Sequence, residues 1–106
     1  MRGLGDLRSL MQQAQKLQAE LAERKRKLAQ ARLEAASGGG MVRAVVTGEG
    51  ELVGLKLAPQ VVAEGDVEML EDLVLAAVRE AQAKAREFAR KEMSDLAGGL
   101  PPGMLP

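Results

Sequence analysis

Few groups in this chain could do covalent or acid–base chemistry. Its 106 residues include no cysteine, histidine, tryptophan or tyrosine, and the single aromatic is Phe88. A Cys/His zinc site, a Ser-His-Asp triad, a cysteine nucleophile and a disulfide framework are therefore excluded. Base stacking on several aromatic side chains is excluded as well. Carboxylates, lysines, arginines, Ser9, Ser37, Ser94 and Thr47 remain. Glu49 and Glu51 are close enough to act as a carboxylate pair, but they flank a turn tip, where water is hard to exclude. No hydroxyl has a base placed near it in the sequence. Neither an enzyme nor a small-molecule substrate is expected, and no cofactor.

Two motifs invite a sharper reading and do not sustain it. Ser37-Gly38-Gly39-Gly40 lacks the Gly-Lys-[Ser/Thr] of a phosphate loop and precedes a strand, so it reads as a turn. The acidic stretch Glu64, Asp66, Glu68, Glu71 and Asp72 resembles a divalent-metal site, but it stands where a helix begins. Asp66 is a good N-cap, and carboxylates in the first turns complement the helix dipole. No metal is expected.

What remains is charge. Lys+Arg and Asp+Glu both number 15, so the net charge is zero, yet the distribution is uneven. Residues 1–36 hold eight basic and four acidic side chains, whereas residues 66–106 hold five and eight. The densest run is Arg24-Lys25-Arg26-Lys27. It has two readings. As a solvated helix face, Glu20–Arg24 and Glu23–Lys27 offset each other at i,i+4. As a phosphate-binding face, two or three of the four reach one surface, because consecutive helical residues fan around the axis. A membrane-surface helix is a poorer third option, given the glutamine-rich neighbours and the absence of Trp. Farther on, Arg79, Arg86 and Arg90 are spaced by seven and four and share a helix face, with Lys91 beside it.

These residues need elements to position them. Leu7, Leu10, Ala14, Leu17, Leu21, Leu28 and Ala31 follow a three-four spacing, which predicts one helix from Leu4 to about Arg32. A helix of that size is about 43 Å long, more than one small domain can cover, so part of its stripe should meet a second chain. Met41 to Thr47, Gly48-Glu49-Gly50 and Glu51 to Ala58 predict a hairpin. Val42, Ala44 and Val46 share one face, and Val53, Leu55 and Leu57 another; Pro59 ends the second strand. A second helix runs from Asp66 to about Asp95, with Glu80–Lys84 and Glu87–Lys91 as surface pairs. Its apolar face includes Phe88. Leu17, Leu21, Leu28, Val42, Val46, Leu55 and Leu57 are the expected core or dimer contacts. The fold class is α+β: long helix, short antiparallel sheet of two to three strands, long helix. Residues 1–97 form a single domain, and residues 98–106 a flexible Gly/Pro-rich tail.

Taken along the chain, these segments resemble the YbaB/EbfC family of bacterial nucleoid-associated proteins. The resemblance rests on Leu4-Gly5-Asp6-Leu7 through Met11-Gln12-Gln13-Ala14-Gln15-Lys16-Leu17-Gln18, on Ser37 to Gly48, on Glu68 to Ala77, and on Leu100-Pro101-Pro102-Gly103-Met104. It implies a third strand near Leu33 to Ser37, where spacing alone gives a frayed helix end. It also implies a homodimer whose sheets meet in a central body and whose long helices protrude like tweezer arms. The implied partner is double-stranded DNA, bound from both long helices, and the implied location is the cytoplasmic nucleoid. One departure is Ala58, where the family often has Asp before the strand-ending proline. The rival reading is a protein-interaction module, a helical docking adaptor in DNA replication or recombination with no DNA affinity of its own. No secretory leader is expected, because no apolar run follows the N-terminus, and no membrane partner.

Overall fold

The structure, a computed structural model, describes residues 3–98. Two helices, α1 (Gly3–Gln30) and α3 (Val67–Gly98), flank a sheet of β1 (Arg32–Ser37), β2 (Val42–Thr47) and β3 (Leu52–Leu57). A one-turn helix α2 (Pro59–Ala63) links β3 to α3. The strands are antiparallel in the order β1-β2-β3. The expected α+β order therefore holds, with three strands, the first of them where the family resemblance implies it. The first helix ends two residues before Arg32, and β1 takes the place of its frayed end. Arg32 caps that end: its Nη1 donates to the carbonyls of Ala29 and Ala31 at 3.0 and 2.9 Å, where carbonyls lack intrahelical partners. The expected tail lies outside the described residues from Gly99 onward.

The core is thin and built from small residues. Ala35, Val42, Ala44 and Val46 on one sheet face pack against Ala77, Ala81 and Ala85 of α3, all fully or nearly fully buried. Alanines at four-residue intervals let the helix backbone approach the sheet closely. Val61 of α2 closes this core, its segment started by Pro59 in the first helical position. The buried face of β2 is the one its alternation predicts, whereas α2 has no counterpart among the expected elements.

β3 departs from the expected pattern. Its pairing with β2 shifts between Val45 and Val46, so that Val46 opposes Leu52 while Ala44 opposes Leu55 and Val42 opposes Leu57. Val53 is the extra residue of a bulge. Leu52, and not Val53, therefore joins Leu55 and Leu57 on the core-facing side. α3 covers β1 and β2 but leaves this row uncovered, and all three leucines are exposed. Leu55 and Leu57 are not core residues of the single chain.

The turn between β2 and β3 fastens the two helices to the sheet. The Gly48 amide donates to the Leu28 carbonyl at 2.8 Å, and Gln82 Nε2 donates to the Gly50 carbonyl at 3.2 Å. Thr47, buried, accepts from the amides of Glu49 and Glu51. A Cβ at position 48 would stand 2.7 Å from the Leu28 carbonyl oxygen, so only glycine permits this approach. At the other end of the sheet Ser37 Oγ donates to the Leu73 carbonyl at 2.6 Å. Gly38-Gly39-Gly40 follows with positive φ throughout, a turn as expected.

The molecule is far from spherical. Its radius of gyration is 21.0 Å, against about 13 Å for a compact chain of this length. The long axis measures 78 Å and the other two 19 and 16 Å.

Candidate nucleic-acid interface

The basic run lies on α1 close to where that helix packs on α3, and its four members differ in their surroundings. Arg24 is half-buried, and its Nη1 lies 2.7 Å from Glu92 Oε2 of α3. Arg26 is exposed but held by Glu23, with Nη2–Oε1 at 2.6 Å and Nε–Oε2 at 3.0 Å, and it also donates to Gln30. This hydrogen bond holds the Glu23 carboxyl below the usual glutamate range and pushes the Arg26 guanidinium up. Lys25 and Lys27 are exposed and carry no ion pair among the described residues. The pairs expected from helical spacing, Glu20–Arg24 and Glu23–Lys27, do not form. Arg24 instead reaches across to Glu92 of α3, although Glu20 is half-buried as well. Glu23 takes the guanidinium three residues on, which grips both carboxylate oxygens.

On α3, Arg79, Arg86 and Arg90 are exposed and lie opposite the buried alanines, on the outer face of the helix. Arg90 is paired with Glu87, whose carboxyl it holds below the usual range chiefly through their hydrogen bond. Arg79 and Arg86 have no ion pair among the described residues, and Arg86 lines a cleft with Leu28, Gly48, Glu49 and Gly50 where α1, the turn and α3 meet. Lys91 is exposed, about 100° round the helix from Arg90. The expected Glu80–Lys84 and Glu87–Lys91 pairs are absent. Lys84 Nζ instead donates to the Glu34 carbonyl of β1 at 2.8 Å.

Arg8 and Lys16 of α1 are exposed and were not singled out in the sequence. Arg43 and Lys56 stand opposite each other across β2 and β3, on the sheet face turned away from α3. Like charges at paired positions are unfavourable, and the Arg43–Glu34 contact at 3.3 Å offsets this one. That pairing depends on strand register and was not visible before folding.

The remaining site residues divide by depth. Val42 and Val46 are fully buried, Leu17, Leu21 and Leu28 are half-buried along the α1–α3 contact, and Phe88 is half-buried. The acidic stretch serves its helix: Asp66 Oδ1 accepts from the Met69 amide at 3.0 Å. Among the described residues no group of three or more Asp or Glu converges as metal ligands, and no helix is long and apolar enough to cross a membrane.

Residues 3–100 match the YbaB/EbfC DNA-binding family. The chain belongs to that family. YbaB/EbfC relatives cover nearly all of it. A nucleoid-associated protein of Rhodococcus opacus is 44% identical over 104 residues, spanning 98% of this chain and 92% of that one. A nucleoid-associated protein of Thermoanaerobacter pseudethanolicus is 45% identical over 95 residues, spanning 90% and 86%. A crystal structure of an uncharacterized Helicobacter pylori protein shares the fold, with a TM-score of 0.71 over 85% of this chain and 94% of that one, at 24% identity. Ala58 is the N-cap of α2, where alanine makes no side-chain hydrogen bond and an Asp would supply one.

Proposed function

We propose that this protein is a bacterial nucleoid-associated protein that binds duplex DNA as a homodimer, through phosphate contacts from its helical arms and without enzymatic activity. The observation that carries the reading is the YbaB/EbfC match over residues 3–100. The geometry supports it. Lys25 and Lys27 project from one long helix, and Arg79 and Arg86 from the outer face of the other, on a chain of zero net charge. With no Tyr or Trp and Phe88 half-buried, contacts are ionic and shape-based rather than intercalating.

The homodimer is supported by the uncovered side of the sheet. Leu57 of β3 and Val67, Leu70, Val74 and Val78 of α3 line an open apolar groove, continued by exposed Leu52 and Leu55. A partner sheet laid against this surface covers it and doubles the number of basic arms.

The test is duplex binding titrated against salt. Each phosphate contact adds roughly 0.9 to the negative slope of log affinity against log salt. With two or three contacts per chain, four to six in the dimer, the slope should be about −3.6 to −5.4. Lys25→Gln with Lys27→Gln should weaken binding to every sequence alike and flatten the slope by up to about 3.6 in the dimer. Arg26→Gln should change it less, because Glu23 already holds that charge. Wild-type protein with no duplex affinity at low salt sinks the reading in favour of the docking adaptor.

A further inference from the structure

α1 runs antiparallel to α3. Leu28 sits beside Ala85 and Ala89, Arg24 meets Glu92, and Glu20 shares a cleft with Leu96. Continued toward its N-terminus, α1 passes the end of the described α3 near Leu17. The overhang accounts for the long axis of 78 Å, since the 32 residues of α3 span only about 48 Å. On this overhang Leu7, Leu10 and Met11 are 54%, 61% and 57% exposed, and Ala14 is exposed too.

These four residues are spaced by three, one and three, an order that reads the same from either end. A second α1 laid antiparallel, with a two-fold axis between Leu10 and Met11, sets Leu7 against Ala14 and Leu10 against Met11. In that register Asp6 falls level with Gln15 and Arg8 with Gln13. Glutamine amides both donate and accept, so neither charge meets its own sign. The stripe is complementary to its own copy.

We propose that the tip of α1 docks antiparallel on the α1 tip of a second copy, and that this contact joins separate DNA-bound dimers. The second clause rests on the DNA-binding reading above; the first does not. The groove of Leu57, Leu70 and Val74 lies toward the start of α3, at the far end of the molecule from the tip. One chain then carries two different isologous contacts, one within the dimer and one between dimers. Four side chains make a small contact, well below a stable interface. It operates where DNA raises the local concentration of dimers.

The chain has no native cysteine, so engineered thiols report the contact directly. Leu7→Cys protein mixed with isotope-labelled Ala14→Cys protein should form a mixed disulfide under mild oxidation, both on long duplex DNA and at high protein concentration without it. Leu7→Cys alone places its thiols seven residues, about 10 Å, out of register and should cross-link far less. Separately, Leu10→Gln with Met11→Gln should keep wild-type mass and duplex affinity, while capture of a second labelled duplex by bead-bound duplex falls at least about tenfold. Mixed cross-linking no greater than that of Leu7→Cys alone, with and without DNA, overturns the docking. Unchanged duplex capture by the double variant overturns the bridging. Cross-linking in register by a protein that binds no duplex leaves the tip contact standing and sinks the DNA-binding reading instead.

Discussion

Arg24 Nη1 lies 2.7 Å from Glu92 Oε2, and this contact ties the two long helices together near the free end of α3. Both side chains are at most a quarter exposed, so the pair is partly shielded from water and stronger than a surface ion pair. It also removes the first cation of the basic run from the supply facing solvent.

The two partners should therefore respond differently to neutralisation. Glu92→Gln releases the Arg24 charge and should tighten duplex binding, steepening the salt slope by up to roughly 0.9 per chain. Arg24→Gln should weaken duplex binding less than Lys25→Gln does. Each variant should lose roughly 1 kcal/mol of stability in urea, because each leaves a shielded polar group without its charged partner.

Leu57→Glu should dissociate the protein. Leu57 faces the open groove with Leu70 and Val74, where a carboxylate stays hydrated in a free chain and is desolvated in a dimer. Sedimentation equilibrium should give about twice 11.3 kDa for the wild type and the single-chain mass for the variant, with an unchanged far-ultraviolet circular dichroism spectrum. A wild-type mass of one chain at micromolar concentration removes the dimer from the proposed function.

Gly48→Ala should destabilise the fold by roughly 1–3 kcal/mol, the range for forcing extra volume into a packed site. The new methyl meets the Leu28 backbone at 2.7 Å, and backbone cannot swing aside as a side chain can. Gly50→Ala provides the contrast. Its Cβ would meet nothing within 4 Å, and the penalty comes from the positive φ of 88° alone. Urea titrations of both variants separate steric from conformational cost.

Ala58→Asp should stabilise the protein by roughly 0.5–1 kcal/mol, because the N-cap of α2 has no side-chain acceptor. A rise in thermal midpoint with unchanged duplex affinity is the expected result. An unchanged midpoint shows that the short helix draws its stability from Val61 burial alone.

The long helices, the hairpin and the cap at Asp66 were legible because each is encoded locally, in apolar spacing or turn chemistry. β1 was not legible from spacing, since Arg32 to Ser37 has no strong alternation; it came from the family resemblance. The bulge at Val53 was hidden for another reason. An alternating pattern predicts that Val53, Leu55 and Leu57 share a face, and only pairing with β2 reveals the extra residue. Among the basic residues, sequence located the run and the Arg79–Arg86–Arg90 face. It could not tell which charges would be taken up by neighbours, because the partner of Arg24 lies 68 residues away. The local rule also chose wrongly within one helix, where Glu23 prefers Arg26 to Lys27.

The Gly48–Leu28 hydrogen bond makes the root of α1 a clamped joint, and the part beyond Leu17 behaves as a cantilever. Such a beam can gain or lose whole turns without altering any core contact. If the tips join duplexes as proposed, the length of this overhang sets how far apart those duplexes stand.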